Sequence, residues 1–123
     1  MKLTLESILV FGLPKENAAL LEAAMIPLKV RVRWIPPENF SASIGELVSG
    51  TAQNGTASLS LPEPVLILNG LSSRKMDQVL QQLRDPSLPQ IGLKAAVTPT
   101  NSKMDIFTLY EELCKERAAF QGK

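Results

Sequence analysis

Four consecutive apolar residues, Val65-Leu66-Ile67-Leu68, stand between Pro64 and Asn69-Gly70. The run is too short for a helix and suits a strand covered on both faces. Ser72 or Ser73 is placed to cap a following helix, and Met76, Val79, Leu80 and Leu83 then fall at i, i+3, i+4 and i+7. That spacing gives the helix one apolar stripe to lay on a sheet. A buried strand, a glycine turn and an amphipathic helix in this order call for a layered α/β arrangement.

The same corner occurs earlier. Ile8-Leu9-Val10-Phe11-Gly12-Leu13-Pro14-Lys15 repeats the order of apolar strand, glycine, leucine and helix start. Placing Gly12 on Gly70 also sets Ala18 on Met76, Leu21 on Val79 and Met25 on Leu83. Turn and helix face match together, which predicts an internal duplication. Two copies are too few for a solenoid, so the expectation is one pseudo-symmetric domain over 1–123.

Taken in order, a strand over about Leu3–Phe11 is followed by a helix from Pro14 to about Met25, closed by Pro27. Leu28 to Ile35 alternates, with Leu28, Val30, Val32 and Trp34 facing one way and Lys29, Arg31 and Arg33 the other. This is a half-exposed edge strand. Pro36-Pro37 ends it, and a short helix over Asn39–Val48 turns Ile44, Leu47 and Val48 inward. The uncharged stretch that follows predicts a flexible linker over 49–63, which separates a first half, 1–48, from a second, 64–123. Beyond the Gly70 corner, Leu93–Thr98 supplies a fourth strand, and Pro99-Thr100-Asn101-Ser102 caps a last helix with Ile106, Leu109, Tyr110, Leu113 and Cys114 inward. Ile44, Leu47 and Val48 align with Ile106, Leu109 and Tyr110. The preceding strands align either as Leu28-Lys29 on Leu93-Lys94 or as Ile35 on Val97.

The fold class is thus α/β: a duplicated strand-helix-strand-helix unit forming a four-stranded sheet. Two layouts satisfy the pattern. One is a doubly wound parallel sheet ordered 2-1-3-4; the other is a ferredoxin-like antiparallel α+β sheet ordered 4-1-3-2 with an extra C-terminal helix. The first is preferred, because apolar central strands want helices on both faces.

Composition excludes several chemistries. The 123 residues contain no histidine, so Cys/His zinc sites and Ser-His or Cys-His catalysis cannot be built from this chain. Cys114 is the single cysteine, which precludes an intrachain disulfide and fits a reducing compartment. No metal or cofactor is expected. Thirteen basic and 12 acidic side chains give a net charge of +1, so no overall field recruits nucleic acid or a membrane surface. The N-terminal residues carry Glu6 where a signal peptide needs an apolar core, and cytoplasmic location is the expectation.

Two sets of residues are candidate sites. Gly70, Ser72, Ser73, Arg74 and Lys75 open a helix with free N–H groups, hydroxyls and cations, an arrangement suited to a small anion. One glycine is fewer than a dinucleotide fingerprint or a P-loop requires, and a capped helix start uses the same residues. Gly12-Leu13-Pro14-Lys15 is the weaker anion site, because proline removes a donor. Lys29, Arg31 and Arg33 form a basic face that could grip phosphates. Charges on a solvated edge strand also discourage aggregation, and six aromatics with near-neutral charge argue against nucleic acid. Neighbouring Glu111 and Glu112 point apart on a helix and make no acid-base pair.

From Pro64 to Phe120 the chain resembles a small bacterial family catalogued only as a domain of unknown function, number thirty-seven eighty-three. The resemblance rests on Val65-Leu66-Ile67-Leu68-Asn69-Gly70, on Leu93-Lys94-Ala95-Ala96-Val97-Thr98-Pro99-Thr100-Asn101, and on Leu109-Tyr110-Glu111-Glu112-Leu113. It implies bacterial origin and a compact fold, with the first half as a diverged copy lacking the Thr-Pro-Thr-Asn stretch and the Glu-Glu pair. It implies no activity. The functional expectation is a non-catalytic binding or interaction module, acting as a homodimer or with another protein. The alternative is a small-anion or nucleotide-responsive protein or enzyme that uses the Gly70 corner.

Overall fold

The computed structural model describes residues 6–49 and 61–121. The expected start of the first strand at Leu3 and most of the expected 49–63 linker lie outside them. The elements are β1 (Ser7–Phe11), α1 (Lys15–Met25), β2 (Arg31–Trp34), α2 (Ile44–Ser49), β3 (Val65–Asn69), α3 (Ser73–Gln82), β4 (Leu93–Ala96) and α4 (Ile106–Gln121). They build one four-stranded sheet ordered β2-β1-β3-β4, with the two apolar strands at its centre.

The order 2-1-3-4 is the expected one, but the preferred all-parallel sheet is not what forms. β2 runs parallel to β1 and β4 parallel to β3, while β1 and β3 pair antiparallel through Ser7↔Asn69, Leu9↔Ile67 and Phe11↔Val65. Burial on both faces was the argument for parallel strands, and two parallel pairs joined back to back satisfy it equally well. Helix length is the discriminating feature. The 11 residues of α1 and 10 of α3 span about 15 Å, enough to return a chain along a five-residue strand of about 17 Å, whereas the six of α2 span only about 9 Å. The chain leaves β2 and enters β3 at the same end of the sheet.

Alternate residues of the central strands feed two cores. Ile8, Val10, Leu66 and Leu68 pack against Ala18, Leu21 and Met25 of α1 and Val79 and Leu83 near α3. Leu9, Phe11, Val65 and Ile67 face Ile44 and Leu47 of α2 and Ile106 and Leu109 of α4. Helices therefore cover both faces, α1 and α3 on one, α2 and α4 on the other. Each fully buried Leu, Ile or Phe contributes about 1.5–3 kcal/mol through the apolar surface removed from water.

Exchanging the two halves leaves the strand order unchanged. The glycines closing β1 and β3 both take the left-handed conformation, Gly12 at φ 76° and Gly70 at φ 73°, a region that penalises any Cβ. After β2, the Ile35 N–H donates to Val10 O at 3.0 Å; after β4, the Val97 N–H donates to Leu68 O at 2.9 Å. Of the two alignments read from the sequence, the geometry matches Ile35 with Val97. Ser43 and Asp105 bridge each other and cap α2 and α4: Ser43 Oγ accepts from Glu46 N–H at 3.2 Å, and Asp105 Oδ1 accepts from Thr108 N–H at 2.8 Å.

Strand β2 is shorter than the alternation suggested. Pro27 lies in a 3-10 turn over Ile26–Leu28 that Lys29 closes at φ 60°, its N–H on Ile26 O at 2.9 Å. Lys29 is therefore outside the strand and does not share a face with Arg31 and Arg33.

Candidate functional site

At the Gly70 corner the five expected residues do stand together, and two are already engaged. Ser72 Oγ accepts the Lys75 N–H at 3.1 Å, which caps α3. Lys75 Nζ donates to Leu28 O at 2.7 Å and pairs with Glu6 Oε1 at 3.3 Å, tying α3 to the start of β1. Ser73 and Arg74 remain exposed. In parallel α/β sheets a ligand crevice opens where strand order reverses and neighbouring carboxyl ends lie side by side. The antiparallel β1–β3 pair sends Gly12 and Gly70 to opposite ends of the sheet, so no crevice of that kind forms between them.

Two of the three expected basic residues, Arg31 and Arg33, lie on β2. Arg31 is exposed; Arg33 is half-buried, and its guanidinium donates to Val48 O at 3.4 Å, near the carboxyl end of α2 where a cation is favoured. Burial, and then the Arg31 charge, lower the Arg33 pKa from its ordinary value. Arg31 and Arg33 thus stay near each other on β2, and Lys29 lies outside the strand.

A concave site lies at the other corner. Gly12, Leu13 and Pro14, which join β1 to α1, meet Trp34, Ile35 and Pro37 after β2, together with Phe40 and Leu61, around a pocket of about 260 Å³. A Cβ at Gly12 would meet Leu61 Cβ at 3.4 Å and Glu63 O at 3.5 Å, ordinary contact distances, so the constraint on this glycine is its left-handed backbone. Trp34 is fixed by its indole N–H, which donates to Leu13 O at 2.7 Å. Phe40, fully buried, forms the floor's aromatic support, with ring centroids 5.8 Å from Phe11 and 5.9 Å from Phe107. Lys15, exposed and without an ion pair among the described residues, holds its ammonium 5.6 Å from the Trp34 ring centroid. No side chain caps the start of α1 behind Pro14. The side chains lining the pocket are apolar, and the Lys15 ammonium stands beside its Trp34 wall.

Sequence reasoning ranked this corner second because proline lacks a donor. The signal it passed over was Trp34-Ile35-Pro36-Pro37 with Phe40, rigid and aromatic residues clustered just after an edge strand.

Other polar clusters have structural partners. Asn101 is buried, with its Nδ2 donating to Ala96 O at 2.8 Å, its Oδ1 accepting from Thr98 N–H at 2.9 Å, and its own N–H donating to Thr98 Oγ1 at 3.0 Å. These bonds close the turn after β4 rather than cap the last helix as expected, because Asp105, not residues 99–102, accepts the Thr108 N–H in the first turn of α4. Glu63 and Arg117 form a two-pronged ion pair, at 3.0 and 2.7 Å, between the approach to β3 and α4. The Arg117 hydrogen bonds hold the Glu63 carboxyl below the ordinary glutamate range. Reciprocally they raise Arg117. Cys114 lies beside this pair, 4.0 Å from Arg117 Nη2, and its hydrogen bond with Tyr110 raises the phenol. Among the described residues no group of three acidic, cysteine or histidine side chains could hold a metal ion, and no helix is long and apolar enough to cross a membrane.

Residues 64–120 match the family model described as Domain of unknown function (DUF3783). The segments on which the resemblance was read, Val65–Gly70, Leu93–Asn101 and Leu109–Leu113, all fall within this span. The DUF3783 span takes in β3, α3, β4 and nearly all of α4, and with them the Gly70 corner, but none of the residues lining the pocket. No curated protein and no solved structure matches the chain.

Proposed function

We propose that the chain works as a non-catalytic binding module whose site is the apolar pocket beside Gly12. The observation that carries this reading is the pocket itself: about 260 Å³ of apolar space, walled by the fixed Trp34 ring and set on the buried Phe40. Concave apolar sites with a few convergent polar groups are where small ligands bind. The alternative anion site at Gly70 has less to recommend it, since Ser72 and Lys75 are occupied in capping and in the tie to Glu6.

The same reading includes an internal duplication. It is supported by the left-handed glycines 12 and 70, the Leu9↔Ile67 pairing, the Ser43↔Asp105 bridge and the matched positions of Ile44 and Ile106. On this view the DUF3783-like second half retained the capped corner, and the first half acquired the pocket by placing Trp34 and Phe40 around its own. A cytoplasmic, bacterial setting is part of the proposal. Homodimerisation belongs to it as well, with Ile26, 71% exposed, and Leu20, 49% exposed, as the apolar surface on and just after α1 available for it.

A thermal-shift screen of phosphate, nucleotides, phosphosugars, carboxylates and small apolar ring compounds tests the proposal. A ligand at a hundred times its dissociation constant adds roughly 2.7 kcal/mol of stability, a shift of several degrees for a chain of this size. Hits among ring compounds or apolar acids that disappear in Leu61→Trp, which fills the pocket from its rim, are the expected result. Hits confined to phosphates and lost in Arg74→Ala would move the site to Gly70.

A further inference from the structure

We infer that the Gly12 pocket takes a small apolar monocarboxylate, a single-ring or branched aliphatic acid, with its hydrocarbon among Trp34, Phe40 and Leu61 and its carboxylate toward Lys15. The inference rests on the binding reading above and goes further by naming the ligand class.

Size sets the first limit. A dry protein cavity of roughly 150 Å³ holds benzene, and pockets for drug-sized ligands begin near 300 Å³. At about 260 Å³ the Gly12 pocket accommodates one substituted ring or a short branched chain, and a nucleotide is too large.

Chemistry sets the second. Trp34 spends its indole N–H on Leu13 O, so the aromatic wall offers an apolar surface and no donor. Ile35, Pro37, Phe40 and Leu61 add only hydrocarbon side chains. A wholly polar ligand would lose its hydration without replacement.

Charge sets the third. Lys15 follows the lining residue Pro14 directly, and its ammonium lies 5.6 Å from the Trp34 ring centroid. Most other cations near the core have partners: Lys75 pairs with Glu6, Arg117 with Glu63, and Arg33 donates to Val48 O. Lys15 has no carboxylate partner among the described residues and is held only by the ring. An acid whose apolar part fills the pocket brings a carboxylate to a cation that lacks one.

Trp34 is the chain's single tryptophan, so its emission reports occupancy without a label. Phenylacetate and its neutral isostere phenylacetamide are titrated against the wild-type protein and Lys15→Met, which keeps an apolar stem and removes the charge. The expected result is phenylacetate binding about fivefold more tightly than the amide to the wild type, the range of a partly exposed ion pair, with the preference lost in Lys15→Met and weakened by salt. Equal binding of acid and amide to the wild type overturns the carboxylate assignment and leaves the apolar pocket standing. A preference that persists in Lys15→Met overturns the role of Lys15. If neither compound alters Trp34 emission or thermal stability, the binding reading itself fails, and the ligand class with it.

Discussion

The corners at Gly12 and Gly70 share a backbone and differ in what surrounds it. Both close a buried central strand with a left-handed glycine and lead through a leucine into a helix on the same face of the sheet. At Gly70 the helix is capped by Ser72, and its lysine is bound to Glu6 and Leu28 O. At Gly12 the helix starts on a proline without a side-chain cap, and its lysine is left over a tryptophan ring beside a pocket. A strand-glycine-helix corner is thus a frame rather than a site. The strand that follows the helix decides its use: β2 ends in Trp34, followed by Pro36-Pro37 and Phe40, whereas β4 ends in Ala96.

The comparison breaks most visibly at Phe40. Phe40→Ala removes a buried ring that touches both Phe11 and Phe107 and is expected to cost about 3–5 kcal/mol, while Ser102→Ala in the second half changes stability by less than about 1 kcal/mol. Urea unfolding of the two variants measures the asymmetry, and equal costs would mean the aromatic cluster is not what distinguishes the corners.

The shared frame is probed by Gly12→Ala and Gly70→Ala. Each puts a Cβ on a left-handed residue, at about 1–2 kcal/mol, and the two are expected to cost alike, since a Cβ at Gly12 meets Leu61 only at ordinary contact distance. Denaturant midpoints that show a cost at one glycine and none at the other would contradict the shared frame. Ser72→Ala is expected to cost about 1 kcal/mol in the same measurement, the usual effect of losing a helix cap; no loss would leave that corner as uncapped as Gly12.

The smallest effect concerns the ion pair behind the pocket. The Glu63 pKa is depressed by Arg117, so its contribution is fully present above the ordinary glutamate value of 4.5 and is lost as pH falls through the lower folded value. Both partners are about a third exposed, which keeps the effect small. The melting temperature of the wild type is expected to exceed that of Glu63→Gln near neutral pH, with the difference shrinking progressively as pH falls below 4.5. A difference that grows on acidification would reverse the sign.

Much of the frame was readable in the residues. Continuous apolar runs placed β1 and β3 at the centre, and charged alternation sent β2 to an edge. Strand direction was harder, because both-sided burial constrains layers and leaves orientation free; only the shortness of α2 sets the β2-to-β3 connection apart from the crossovers through α1 and α3. The expected site at Gly70 was read from residue types that serve equally as caps, and the use of Lys75 by Glu6 and Leu28 depends on a packing of α3 against the start of β1 that no local pattern carries. The pocket was hidden for a different reason. It is a volume left between Gly12, Trp34, Phe40 and Leu61, segments far apart in the chain, and a motif scan registers groups that are present rather than space that is not filled.

Chemical-shift mapping of the backbone amides and the Trp34 indole tests the central claim most directly, with phenylacetate and inorganic phosphate added separately. The account predicts that phenylacetate shifts Gly12, Leu13, Ile35 and the indole resonance, while phosphate leaves the amides of Gly70 through Lys75 in place. Shifts concentrated at Gly70 through Lys75, with the Gly12 corner unmoved by either compound, would contradict it.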